Sequence, residues 1–111
     1  SCFSCFIVKK IVVTIYSSLP SDSDVLLLHC LSKDDDLGTH TLMKDEIYRF
    51  AFCEKPFSTL FHCRLQWGDK HKSFDAYDAK WHGNPCLTNE CKWAARSDGV
   101  YLAGLKKFDW E

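Results

Sequence analysis

The sequence predicts an all-β protein: a two-sheet antiparallel β-sandwich of about eight strands stapled by two or more disulfides. Three observations predict it. Apolar residues alternate with period two along most of the chain. Clusters of Ser, Asp, Gly, Pro and Asn interrupt the alternation at the spacing of short antiparallel strands. Seven cysteines occur in 111 residues, a density typical of small domains in an oxidising compartment.

The segment Phe61, Cys63, Leu65 and Trp67 is the clearest strand, because those residues share one face while His62, Arg64 and Gln66 take the other. Tyr48, Phe50 and Phe52 alternate in the same way, as do Leu26, Leu28 and Cys30, and Cys91, Trp93 and Ala95. Ile11 to Tyr16, Leu37 to Met43, Ser73 to Tyr77 and Val100 to Ala103 complete the eight. Turn-rich pieces such as Leu19-Pro20-Ser21-Asp22 and Gly83-Asn84-Pro85 separate them. Two packed sheets accommodate this number of strands in about a hundred residues, with a barrel as the alternative.

Length predicts one domain over residues 1–111, with residues 1–10 as an N-terminal extension expected to fray unless tied down. There is no internal repeat and no low-complexity linker. The formal charge of −1 with scattered lysines and arginines gives no basic face for nucleic acid. The apolar runs Ile11 to Val13 and Val25 to Leu28 are far too short for stable membrane insertion. The chain begins at Ser1, which reads as a mature or trimmed form lacking its signal peptide.

Strand phase turns Cys30, Cys63 and Cys91 inward beside large apolar neighbours, while Cys86 lies in the loop Gly83 to Asn89. Cys86 and Cys91 are close in sequence and are expected to reach different strands. The pairing this suggests is Cys30 with Cys91 and Cys63 with Cys86, and the swapped arrangement stays open because four cysteines allow three connectivities. Each bridge would stabilise the fold by roughly 3 to 4 kcal/mol on the chain-entropy estimate. Cys53 is out of phase with the aromatic stripe beside it and is expected at the surface, where Cys2 or Cys5 is within reach as a partner. The odd total predicts a monomer with a free thiol or a covalent dimer through an extra cysteine.

The motifs, taken together, resemble a known family. His29-Cys30-Leu31-Ser32-Lys33-Asp34-Asp35-Asp36-Leu37-Gly38 is followed by Thr59-Leu60-Phe61-His62-Cys63, Trp67 and Phe74-Asp75-Ala76-Tyr77. Cys86, Cys91-Lys92-Trp93 and Asp98-Gly99-Val100-Tyr101 complete the series. In this order, over about residues 11 to 103, they are similar to the plant self-incompatibility S-protein homologue family. The resemblance implies a secreted, extracellular, disulfide-stabilised β-sandwich without enzymatic activity or cofactor, acting as a signalling ligand for a cell-surface receptor protein. In the founding context, a match between a pistil ligand and a pollen membrane protein triggers calcium signalling and pollen death. This sequence departs from the family pattern at Ser17, where asparagine is usual, in having no Asn-x-Ser/Thr acceptor, and in its three extra cysteines.

Other candidate sites have simpler explanations. Asp34, Asp35 and Asp36 lack the alternating ligands and distal glutamate of an EF-type calcium loop and read as a solvated turn. Cys2 and Cys5 have C-x-x-C spacing but neither a following helix nor a second pair for zinc. The five histidines stand near no nucleophile elbow and have no helical ligand spacing. His29 and His62 each precede an inward cysteine and so face away from the core, with a shared contact conceivable. Trp67 and Trp93 share phase with cysteines and read as core aromatics.

Trp81 differs, since it lies between Lys80 and His82 in the polar connection from Asp78 to Asn89. An aromatic ring there either meets a partner or plugs the end of the sandwich. Asp78, Lys80, Trp81 and His82 are therefore the candidate binding residues. The competing function class is a secreted defence or toxin-like protein acting on microbes or membranes, which the near-neutral charge and the lack of a cationic amphipathic segment disfavour.

Overall fold

Alternation resolves into two sheets in the computed structural model, which describes residues 5, 7–83, 85–86 and 88–111. Nine strands occur among them: β1 (Lys10–Ser17), β2 (Leu26–Leu31), β3 (Asp36–Leu42), β4 (Ile47–Cys53), β5 (Leu60–Trp67), β6 (Lys70–Asp78), β7 (Glu90–Arg96), β8 (Gly99–Leu102) and β9 (Leu105–Phe108). One sheet runs β4-β1-β7-β8-β9 and the other β3-β2-β5-β6. All neighbours are antiparallel except β1 and β7. The ninth strand, β9, is absent from the sequence-based reading, because Leu-Lys-Lys-Phe carries no apolar alternation.

The two inner faces meet in one core. β5 supplies Phe61, Cys63 and Leu65, all buried, while His62, Arg64 and Gln66 are exposed. Ile11, Val13 and Ile15 of β1 and Cys91, Trp93 and Ala95 of β7 face them from the other sheet. Trp93 is buried and its indole N–H donates to the Ala76 carbonyl at 3.1 Å, which satisfies the one polar atom the ring carries inside. Trp67 departs from the core expectation: it is half-buried at the end of β5, where its N–H donates to Ser23 Oγ and its ring meets Trp110 at 5.8 Å.

β1 lies inside its sheet, between β4 and β7, and is covered on its outer face at Thr14 as well. Thr14 is fully buried and donates to Glu90 Oε2 at 2.9 Å, and Arg49 approaches the same oxygen at 3.4 Å. The hairpin from β8 to β9 turns on Ala103 and Gly104, both at positive φ, 52° and 84°. That is the two-residue turn whose twist matches its flanking strands. At the start of β8, a Cβ on Gly99 would lie 2.4 Å from the Phe108 carbonyl oxygen, so only glycine lets β9 close on β8.

The disulfides correct the expected pairing. Cys30 bridges Cys63, and Cys86 bridges Cys91, in place of Cys30 with Cys91 and Cys63 with Cys86. Cys30 and Cys63 lie directly opposite each other on neighbouring antiparallel strands of one sheet, with Cα atoms 4.0 Å apart. Two inward side chains on adjacent strands are closer than two on opposed sheets, which pack about 10 Å apart when a bridge spans at most about 7 Å. Cys86 meets Cys91 because a turn at Thr88–Asn89, with Thr88 at φ 55°, folds the loop back onto the start of β7. Cys53 is partly buried and bridged to Cys5, which ties the N-terminal segment to the end of β4. Cys2, on which the odd-thiol expectation rests, lies outside the described residues.

Candidate functional site

The two long sides of the sandwich are built differently. On the β3/β4 side the sheets are joined by rings. His40 stacks on Tyr48 at 4.2 Å, and Phe61 packs against Phe50 at 5.0 Å and Phe52 at 4.6 Å. On the other side, β6 and β9 are the edge strands, in contact through Phe74 and Phe108 and through the Glu111 backbone on His71. A cleft of about 860 Å³ opens between them, reaching down to Phe74, Trp93 and Leu102.

The walls of the cleft are two half-buried aromatics from distant parts of the chain, Trp81 and Phe108. Phe108 stacks nearly parallel to Trp93, at 6.2 Å and 9°, and lies 5.7 Å from Phe74. Trp81 meets Tyr77 edge-on at 5.6 Å. Tyr77 itself is buried, and its hydroxyl donates to a Glu54 carboxylate oxygen. Burial above all, then the Glu54 hydrogen bond and the charges of Glu54 and Asp78, raise its pKa far above the ordinary phenol value. The phenol therefore stays protonated and fixes the root of the Trp81 loop to the loop after β4.

Asp78, Lys80, Trp81 and His82 take distinct places. Asp78 shapes the turn: its Oδ1 accepts the Lys80 N–H at 2.8 Å and its carbonyl accepts the Trp81 N–H at 3.1 Å. Lys80 and His82 are exposed. Trp81 and His82 line the cleft, whereas Asp78 and Lys80 stand outside its lining. Trp81 packs edge-on against Tyr77 and also lines the cleft.

The histidines are engaged on the outer face of the four-stranded sheet. His29 pairs with Asp36 at 2.6 Å and His62 with Asp75 at 3.0 Å, each across neighbouring strands and not with each other. Asp36 Oδ1 also accepts the Gly38 N–H at 2.9 Å, and that bond first, then His29, holds its carboxyl below the usual carboxylate range. The triplet Asp34–Asp36 is an exposed turn closed by Ser32 and Asp35, each bonding the other's backbone or side chain.

Three residues of this region carry no signal in the sequence. Lys107 and Phe108 reach the cleft from β9, and Lys72 from β6. Lys72 bonds the Glu111 carboxylate and lies 5.1 Å over the Phe108 ring, while the Glu111 backbone pairs with His71 on the free edge of β6. Phe57, in the loop after β4, is exposed at φ 62°, a costly conformation for a bulky side chain.

Comparison with known proteins agrees with this architecture. Residues 12–111 match the family model described as plant self-incompatibility protein S1. The chain is 40% identical over 89 residues to S-protein homolog 5 of Arabidopsis thaliana, covering 78% of this chain and 68% of that protein. It is 37% identical over 76 residues to self-incompatibility protein S1 of Papaver rhoeas, covering 67% of this chain and 55% of that protein. The fold is shared with a solved SPH (self-incompatibility protein homologue) structure at a TM-score of 0.74 and 17% identity, over 95% of this chain and 97% of that one. That structure represents what is described as a widespread family of small, highly stable, secreted proteins from plants. Among the described residues no helix is long and apolar enough to cross a membrane. With three disulfides among the described residues, bridges that need an oxidising compartment, this secreted β-sandwich belongs to the plant self-incompatibility protein S1 family.

Proposed function

We propose that this protein is an extracellular signalling ligand, without catalytic activity of its own, that a cell-surface receptor protein recognises through the loop bearing Asp78, Lys80, Trp81 and His82. The observation that carries the reading is the presentation of Trp81. A large aromatic side chain is held half-exposed on a loop braced by Asp78 and Tyr77, between the exposed side chains of Lys80 and His82. Rigid presentation of an aromatic anchor beside charged neighbours is the arrangement typical of interface hot spots.

The test is saturable, protein-dependent binding of labelled protein to plant cells, followed by a calcium response. Trp81→Ala is expected to abolish binding. Lys80→Glu, which alters an exposed residue, is expected to weaken it with the melting temperature unchanged. Full binding by both variants would refute the reading.

A further inference from the structure

We propose that the cleft between β6 and β9 is a binding site for a small planar aromatic carboxylate, with its ring between the aromatic walls and its carboxylate at Lys107. The argument starts from charge. Of the two ammonium groups lining the cleft, that of Lys72 is neutralised by Glu111, and the one lining carboxylate, Asp75, is engaged by the His62 ring. Lys107 and His82 have no carboxylate within ion-pair distance among the described residues. The cleft therefore presents one unpaired ammonium, that of Lys107, beside apolar surface.

Shape gives the second half. Trp81 and Phe108 are half-buried, and below them Phe74, Trp93 and Leu102 are buried members of the core. A flat apolar body that enters between the walls replaces water on ring faces, and its carboxylate meets the Lys107 ammonium at the rim. The volume of about 860 Å³ lies within the range of small-molecule pockets, which are mostly apolar with a few placed polar groups. A simple anion such as acetate lacks the apolar body, and an exposed lysine alone holds it weakly. A neutral ring lacks the partner for Lys107. The site thus selects both features in one molecule.

This inference shares Trp81 with the receptor reading but does not rest on it, since Lys107 lies on β9, outside the recognition loop. The probe is naphthalene-2-carboxylate, titrated into the purified protein and followed by tryptophan fluorescence and by the indole N–H resonances. Naphthalene-2-carboxamide and cyclohexanecarboxylate serve as controls. The carboxylate is expected to bind about threefold more tightly than the carboxamide and more tightly still than cyclohexanecarboxylate, which lacks the flat ring, and to shift the Trp81 indole resonance. Lys107→Gln, on an exposed edge position, is expected to abolish the preference for acid over amide without changing the melting temperature. Trp81→Leu should weaken both naphthalene probes. Equal affinity for acid and amide, an unaltered preference in Lys107→Gln, or a Trp81 resonance that stays still would each overturn the proposal. Loss of the probe site in a protein that still binds cells would refute this inference alone.

Discussion

The β3/β4 side of the sandwich and the β6/β9 side are made from the same kinds of residue, aromatic rings and histidines, yet one is sealed and the other open. The sealed side places its rings on strands that face each other across the core, so His40, Tyr48, Phe50, Phe52 and Phe61 form a continuous series of contacts between 4.2 and 6.1 Å. The open side sets Trp81 on a loop and Phe108 on a four-residue edge strand, and among the described residues no ring contact joins those two. Ring contacts close the first side along its strands and leave a cavity of about 600 Å³ at its end, where Phe52 and Phe61 meet the polar loops at Ser32 and Lys55. The gap beside β6 and β9 is instead walled by rings with an unpaired ammonium at its rim. The difference lies in where the chain puts its aromatics, not in how many it has.

The comparison breaks most completely if the covalent frame common to both sides is removed. Replacing Cys30 and Cys63 together by alanine opens a loop of sequence separation 33 at a site with no solvent exposure. Loss of about 3 to 4 kcal/mol is expected. The same double change at Cys86 and Cys91, separated by 5 residues, is expected to cost about 2 kcal/mol by the same estimate. Urea unfolding of both variants checks the order. An equal loss would mean that the bridge between β2 and β5 carries no special weight in the core.

The difference between two ring truncations separates the two sides directly. Phe61 is buried against Phe50 and Phe52, so Phe61→Ala is expected to cost about 3 to 5 kcal/mol. Phe108 is half-buried at the edge of the cleft, and Phe108→Ala is expected to cost about 1 to 3 kcal/mol. Comparable losses in thermal or urea unfolding would show that the open side is packed as tightly as the closed one, and the cleft would lose its standing as a preformed site.

Much of the sealed side was legible in the sequence, because period-two alternation in Tyr48 to Phe52 and in Phe61 to Trp67 fixes which residues point inward. Phase alone does not say which strands are neighbours. Cys30 and Cys63 both read as inward-facing, but only the pairing of β2 with β5 puts them opposite each other, and that pairing is a long-range property. The open side was legible only at Trp81 and His82. Phe74, Trp93 and Phe108 converge there from three strands, and Lys107 sits in a strand whose four residues carry no pattern. Edge strands with lysines are a common protection against aggregation, and that device hides both the strand and its functional residue from a periodicity argument.

The smallest expected effect concerns one carboxylate on each side. Asp36, at the start of β3, is held below the ordinary carboxyl range by the Gly38 N–H and then by His29. Glu111, strapped to β6, is lowered by its hydrogen bond to Lys72 and then by the Lys72 charge. A carboxylate whose folded pKa is depressed contributes stability that is present above its unfolded value, about 4, and is lost as pH falls through the folded value. The urea midpoint is therefore expected to hold between pH 7 and 5 and to fall below pH 4. Asp36→Asn and Glu111→Gln should each flatten that acid limb slightly, since both groups are exposed and screened. The two variants part company at the cleft. Glu111→Gln uncovers the Lys72 ammonium and should tighten naphthalene-2-carboxylate binding at neutral pH, while Asp36→Asn, on the sealed side, should leave it unchanged. Identical probe affinity in both would mean that Lys72 and its partner play no part in the electrostatics of the open side.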